Sequence, residues 1–226
     1  MNEYSNTIKD YVDVMKSEFK DNLSLLFMIG SSCSNKVING WSDIDSVIVL
    51  KKYNELIMRK ISKIANSFPV KIGVTIYSDK ELNNMEIDQK TYYHLYLAEM
   101  KEIEIQYKRK NFELPIISFD EVKRQYVANF YSRLHLIKRF FFYNEKELDK
   151  SKVRSLYKNV YLILKDILVI DGFKPKNYDD VFKMYSRKYN FEYYDYEKFI
   201  QDYMIDDNNY LNIIDYAKKV LFSIIK

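Results

Sequence analysis

"IGSSCSNKVINGWSDIDSVIVL", residues 29–50, decides how this chain is read. The whole sequence holds four glycines, and two of them, Gly30 and Gly40, flank this one polar loop. Upstream, residues 23–29 are almost wholly apolar and end at glycine, which predicts a buried strand rather than a helix. Downstream, residues 46–50 predict a second strand. Between them stand Asp43 and Asp45, separated by Ile44. Side chains alternate along a strand, so the two carboxylates point to one face and Ile44 to the other. Two carboxylates aimed at one spot repel each other unless something cationic lies between them. Their hard oxygens suit Mg2+, which takes one or two carboxylates and completes its shell with water and phosphate oxygens. The turn Gly30-Ser31-Ser32 offers backbone N–H groups and hydroxyls to phosphate. Together these features predict a metal–triphosphate site.

Outward from the motif, Tyr4, Ile8, Tyr11, Val12, Met15 and Phe19 fall at helical spacing and predict a helix over 3–20. Leu56, Ile57, Ile61, Ile64 and Ala65 predict another over 54–66, stopped before Pro69. Residues 70–77 are rich in β-branched side chains and predict a third strand. A mostly helical stretch over 81–100 and a fourth strand over 102–107 follow. Pro115 marks a change, after which strand signals vanish. Residues 120–143, 151–170, 179–189, 196–204 and 210–225 read as helices. "RLHLIKRFFFY" (133–143) is expected to be the core helix of that half. The predicted fold class is α/β (α+β): a mixed sheet with flanking helices over 1–115, then an all-helical domain over 116–226.

Composition bounds the function. With 47% hydrophobic and 30% charged residues, the chain is globular and not disordered. No apolar run approaches the roughly 18–20 residues that span a bilayer, so no membrane partner is expected. The N-terminus does not read as a secretory signal, and a lone cysteine, Cys33, excludes an internal disulfide; the cytoplasm is the expected compartment. A net charge of +4 is too small to argue for nucleic acid by itself. The distribution is uneven, however. Residues 120–165 are rich in Lys and Arg, among them Arg133, and leave RNA contact as an alternative. Residues 190–216 hold seven acids against the single base Lys198, and they line either a cleft for a cationic substrate or a solvated helix face. His94 and His135 lie far apart without metal-ligand spacing and read as structural; Trp41 either packs on a substrate or anchors the loop.

The order helix, strand, Gly-Ser, loop, Ser-Asp-Ile-Asp, strand resembles the DNA-polymerase-β-like nucleotidyltransferase superfamily. "GSSCSNKVINGWSDID" is similar to its small bacterial members, including aminoglycoside adenylyltransferases. The helical half resembles the domain that follows in those enzymes in helix pattern and size alone. The resemblance implies transfer of a nucleoside monophosphate, AMP from ATP or another NTP, to a hydroxyl of a small molecule. An aminoglycoside-type antibiotic is the implied acceptor, possibly cationic, and antibiotic resistance the implied setting. Asp43 and Asp45 would hold Mg2+. Gly30, Ser31, Ser32 and Ser42 would contact the nucleotide, and the helical half would bind the acceptor. A substrate hydroxyl would attack the α-phosphate in line and expel pyrophosphate.

One position departs from the pattern. The family carries a third carboxylate on the next strand, where "VKIGVTIY" places Gly73. Three readings stay open. The missing catalytic acid comes from elsewhere, with Glu104 in Ile103-Glu104-Ile105 the first choice and Glu102 or a carboxylate of the helical half behind it. Alternatively, the chain is a catalytically weakened nucleotide-binding or antitoxin-like regulator. Or the strand is aligned out of step.

Overall fold

All seven residues of the first strand, β1 (Leu23–Ile29), are buried. A strand can be apolar throughout only when both faces of its sheet are covered. The computed structural model of the chain describes residues 3–33, 42–142, 149–192 and 210–225. Its sheet has four strands in the order β3-β2-β1-β4, where β2 is Ile44–Leu50, β3 is Ile72–Ser78 and β4 is Ile105–Lys108. β1 pairs antiparallel with β2 and β4, and β2 runs parallel to β3, so the sheet is mixed.

Alternation along β2 sorts its residues between two coverings. Ile44, Ile48 and Leu50 join Leu26 and Met28 of β1 against helices α1 (Glu3–Phe19) and α2 (Glu55–Ala65), where Tyr11, Met15, Phe19, Ile61 and Ala65 complete the core. Ser46 shares that face. Its hydroxyl lies 3.1 Å from the Tyr11 hydroxyl and donates to the Gly73 carbonyl at 3.2 Å. Burial pushes the Tyr11 phenol up to about 12, against the opposing effect of the Ser46 bond, so it stays protonated. Asp45, Val47 and Val49 take the opposite face, where α4 (Gln89–Glu99) packs on β1. Residues 91–98 of α4 are all buried.

The helical stretch expected over 81–100 is two helices. The first, α3 (Asp79–Asn83), opens on a capping box between Ser78 and Glu81. Met85 then takes a left-handed conformation (φ +57°), which ends it. Asp88 starts α4 afresh by accepting the Lys90 and Thr91 backbone N–H groups. It also accepts the Tyr77 and Thr91 hydroxyls at 2.6 and 2.8 Å. Burial works to raise the Asp88 carboxyl, but these hydrogen bonds prevail and hold it below the usual carboxylate range. The fourth strand is shorter than expected and starts later, after left-handed Lys101 (φ +57°) has closed the end of α4.

The chain divides into two compact units, Met1–Val122 and Lys123–Lys226. Helix α5 (Phe119–Phe140) crosses the division, and α6 (Lys150–Ile170), α7 (Tyr178–Tyr189) and α8 (Tyr210–Ile225) follow. The core of the second unit is built on α6, whose Val153, Tyr157, Val160, Leu164 and Leu168 are buried. Against α6 pack α7, with Val181, Phe182 and Tyr185, and α8, with Ile213, Ala217 and Val220. This corrects the expectation for 133–143. Ile137 is buried there, but Leu136 and Phe142 are exposed, because charges at Arg133, Lys138 and Arg139 interrupt the apolar face. Arg133 itself is not a solvated base; it pairs with Asp166, which is fully buried. The expected helix over 196–204 and most of the acidic stretch lie outside the described residues.

Candidate functional site

The site forms where β1 ends and β2 begins. Ile29 stands opposite Asp45 in the antiparallel register, and the chain turns immediately into one 3-10 turn, Gly30–Cys33. Gly30 has φ +71°, a conformation other L-residues rarely adopt. A Cβ there would also meet Lys90 Nζ at 3.1 Å. The backbone conformation is what favours glycine at this point, since the lysine tip can shift by the few tenths of an ångström a Cβ would need.

The turn is held from below. The Gly30 N–H donates to His94 Nε2 at 2.9 Å, and His94 Nδ1 lies 2.6 Å from the Lys90 carbonyl. A carbonyl oxygen only accepts, so Nδ1 carries the proton and the ring is neutral. The Ser32 hydroxyl donates to the Asp43 carbonyl at 3.2 Å and accepts the Asp45 N–H at 3.1 Å, strapping the turn to β2. Tyr4 of α1 donates its hydroxyl to the Ser42 carbonyl at 2.9 Å, and the Cys33 thiol donates to the Gly30 carbonyl. The Gly30 N–H and the Ser32 hydroxyl, expected to be offered to phosphate, are both engaged within the protein. Both groups build the turn. Ser31 lies on the same turn and is partly exposed.

Each aspartate has a lysine. Asp45 Oδ2 accepts from Lys90 Nζ at 2.6 Å, and Asp43 Oδ2 accepts from Lys71 Nζ at 3.2 Å. Both carboxylates are about two-fifths exposed (40% for Asp45 and 41% for Asp43), while Ile44 between them is buried. The structure thus gathers Gly30, Ser31, Ser32, Ser42, Asp43 and Asp45 at one end of the β1–β2 pair.

Glu104 is not brought in. It is exposed and sits just ahead of β4, on the far side of β1 from β2. Two strand spacings, about 9–10 Å, separate the β2 and β4 backbones. Among the described residues no three of His, Cys, Asp and Glu come together in a group fit to hold a metal ion. Gly73 pairs with Asp45 in the parallel register, and a Cβ at Gly73 would lie 2.7 Å from Asp45 Oδ1. The space beside the second aspartate, where a third acid was expected, is taken by Asp45's own carboxylate.

Lys90 was not among the residues expected at the site, while His94, expected to be structural, holds the turn to α4. The signal was present: the two lie four apart on one helix, directly after the capping Asp88, and so share a face. Gly40 and Trp41 lie outside the described residues. Chemically, the donor set suits Mg2+, since two accessible carboxylates match an ion that keeps its remaining positions for water and phosphate.

The fold is shared with a solved structure over nearly the full length of both chains. It is similar to the crystal structure of spectinomycin adenyltransferase AAD(9) from Enterococcus faecialis with ATP and spectinomycin, with a TM-score of 0.59 and 17% sequence identity, covering 97% of this chain and 98% of that one. A likeness at this identity concerns the fold. No family model and no curated protein matches the sequence.

Proposed function

We propose that the protein is a Mg2+-dependent nucleotidyltransferase that moves AMP from ATP to a hydroxyl of a small molecule, with an aminoglycoside-type antibiotic as the acceptor. The single observation that carries this reading is the placement of Asp43 and Asp45, accessible and each facing a lysine, beside the Gly30 turn. The fold shared with an adenyltransferase bound to ATP and spectinomycin supports the choice of nucleotide and acceptor class.

Asp43 and Asp45 would hold Mg2+, which when bound neutralises charge on the attacking and leaving oxygens. The chain's own part is positional. The turn strapped by Ser32 and His94 sets the carboxylates beside Ser31, where the triphosphate would lie. The acceptor hydroxyl gives up its proton to water as its oxygen bonds to the α-phosphorus, the bond from that phosphorus to the oxygen bridging to the β-phosphate breaks, and pyrophosphate leaves with that electron pair. The second unit, Lys123–Lys226, would bind the acceptor. Incubation with Mg2+, ATP and a panel containing spectinomycin and aminoglycosides tests the proposal. One adenylyl group added to an acceptor, with stoichiometric pyrophosphate, is expected. No transfer to any of them would remove the antibiotic reading.

A second reading has one observation in its favour. Among the described residues the two carboxylates stand without a third, fewer than a complete acid set for transfer, which favours a nucleotide-binding or antitoxin-like regulator. ATP binding without turnover, together with a co-purifying helical protein, would decide for it.

A further inference from the structure

We propose that Lys90 is a built-in cation of the site, contacting the phosphates of the bound nucleotide from the first turn of α4. The inference rests on the nucleotide-site reading above and names a residue that reading did not contain. Three constraints place the Lys90 ammonium. Asp88 caps the helix start and accepts the Lys90 N–H itself at 2.8 Å. His94, four residues on and on the same face, bonds the Lys90 carbonyl and the Gly30 N–H together. The helix that carries the lysine is therefore fastened to the turn. At the far end of the side chain, Nζ lies 2.6 Å from Asp45 Oδ2 and 3.1 Å from where a Gly30 Cβ would stand.

The ammonium thus sits between the turn and the second aspartate. At 44% exposure the side chain is reachable by an anion from solvent. An ammonium has three donors, and the contact with Asp45 Oδ2 uses one of them. A triphosphate beside Asp43 and Asp45 adds negative charge to a place where the two carboxylates already offset one divalent ion. Among the described residues no third acid stands ready to bind more metal. A fixed ammonium supplies the remaining positive charge without a ligand set.

The test uses the full chain with Lys90→Met and Lys90→Arg, and two readouts that do not depend on turnover. ATP affinity is measured by equilibrium dialysis in EDTA and again with magnesium. Binding of Mn2+ alone is followed by electron paramagnetic resonance. Lys90→Met is expected to weaken ATP binding in EDTA roughly tenfold to a hundredfold, the value of a hydrogen bond to a charged group, with partial recovery in Lys90→Arg. The same Lys90→Met variant should bind Mn2+ more tightly, because Asp45 loses its competing cation. Damage to the fold would weaken both, so opposite directions identify the role. Unchanged ATP affinity in EDTA, or loss of Mn2+ together with ATP, overturns the proposal. If Asp43→Ala and Asp45→Ala lose ATP while Lys90→Met keeps it, Lys90's role alone falls. If the wild-type chain binds no NTP even with magnesium, the nucleotide reading falls with it.

Discussion

Asp43 and Asp45 carry the same side chain, two residues apart, and each faces a lysine, yet the two pairs are built differently. Lys71 lies just ahead of β3, its side chain is 77% exposed, and it reaches Asp43 Oδ2 at 3.2 Å. Lys90 stands in the first turn of a capped, buried helix, is 44% exposed and reaches Asp45 Oδ2 at 2.6 Å. Asp45 is further confined by its neighbours. It lies within β2, its N–H is held by Ser32, and Gly73 leaves room for its carboxylate. The difference teaches that an ion pair's meaning depends on what fixes its partners. An exposed pair between mobile side chains contributes little. A charge held in place before the ligand arrives costs no rearrangement when it is used.

The largest expected effect is loss of the acids themselves. Asp45→Ala and Asp43→Ala should each lower the rate of pyrophosphate release by at least about 10²–10³-fold, the range for removing one fixed electrostatic group from a site. Equal losses would mean that the asymmetry belongs to the lysines alone. A much larger loss in Asp45→Ala would extend it to the acids.

Gly73→Ala comes next, and it tests whether room beside Asp45 matters. A Cβ there would stand 2.7 Å from Asp45 Oδ1, so the carboxylate must swing away. Displacing a reacting group by about 1 Å can cost about 10²-fold, and a loss between about tenfold and that value is expected, with the melting temperature nearly unchanged. Full activity in Gly73→Ala would show that the position of Asp45 is not critical.

Asp88→Ala loosens the start of the helix that carries Lys90. Loss of an N-cap costs about 0.5–2 kcal/mol, read from thermal or urea unfolding at neutral pH. The pH dependence follows from the lowered Asp88 carboxyl. A carboxylate depressed in the folded state contributes stability that is fully present above its unfolded value near about 4 and is lost as pH falls through the folded value. The gap between wild type and Asp88→Ala should therefore be constant from neutral pH down to about 5 and shrink on further acidification. A gap that widens in acid would assign the stabilisation to another group.

Much of the fold was legible because its signals are local. A buried apolar run ending at Gly30, an alternating Asp43-Ile44-Asp45 and the loss of strand signals after Pro115 all follow from the order of residues along the chain. The mixed sheet with flanking helices is observed. The rest depended on distance through space. Nothing near Gly73 in sequence says that Asp45's carboxylate fills its place, since that contact arises from strand register. His94 lies 64 residues from Gly30, and its role appears only once α4 packs on β1. Glu104 was attractive for its apolar neighbours, but β4 lies on the other side of β1 from β2. Sequence pattern identifies a strand, and it leaves open which strand lies beside it.

The smallest expected effect closes the comparison. Lys71→Met removes the partner of Asp43 while leaving the Gly30 turn, His94 and Lys90 untouched. An exposed pair of this kind is worth about 0–1 kcal/mol, so stability should fall by no more than that. ATP affinity should change by less than about fivefold, the equivalent of the same energy. What remains of the Asp43–Lys71 attraction should also fade with salt, because the pair is open to a Debye screen of about 8–10 Å. The Asp45–Lys90 contact, more enclosed and anchored through α4, should fade less. Measuring both lysine variants at low and high ionic strength therefore separates them twice, by size of effect and by salt response. If Lys71→Met proved as damaging as Lys90→Met at both ionic strengths, confinement would not distinguish the pairs, and α4 would lose its special claim on the site.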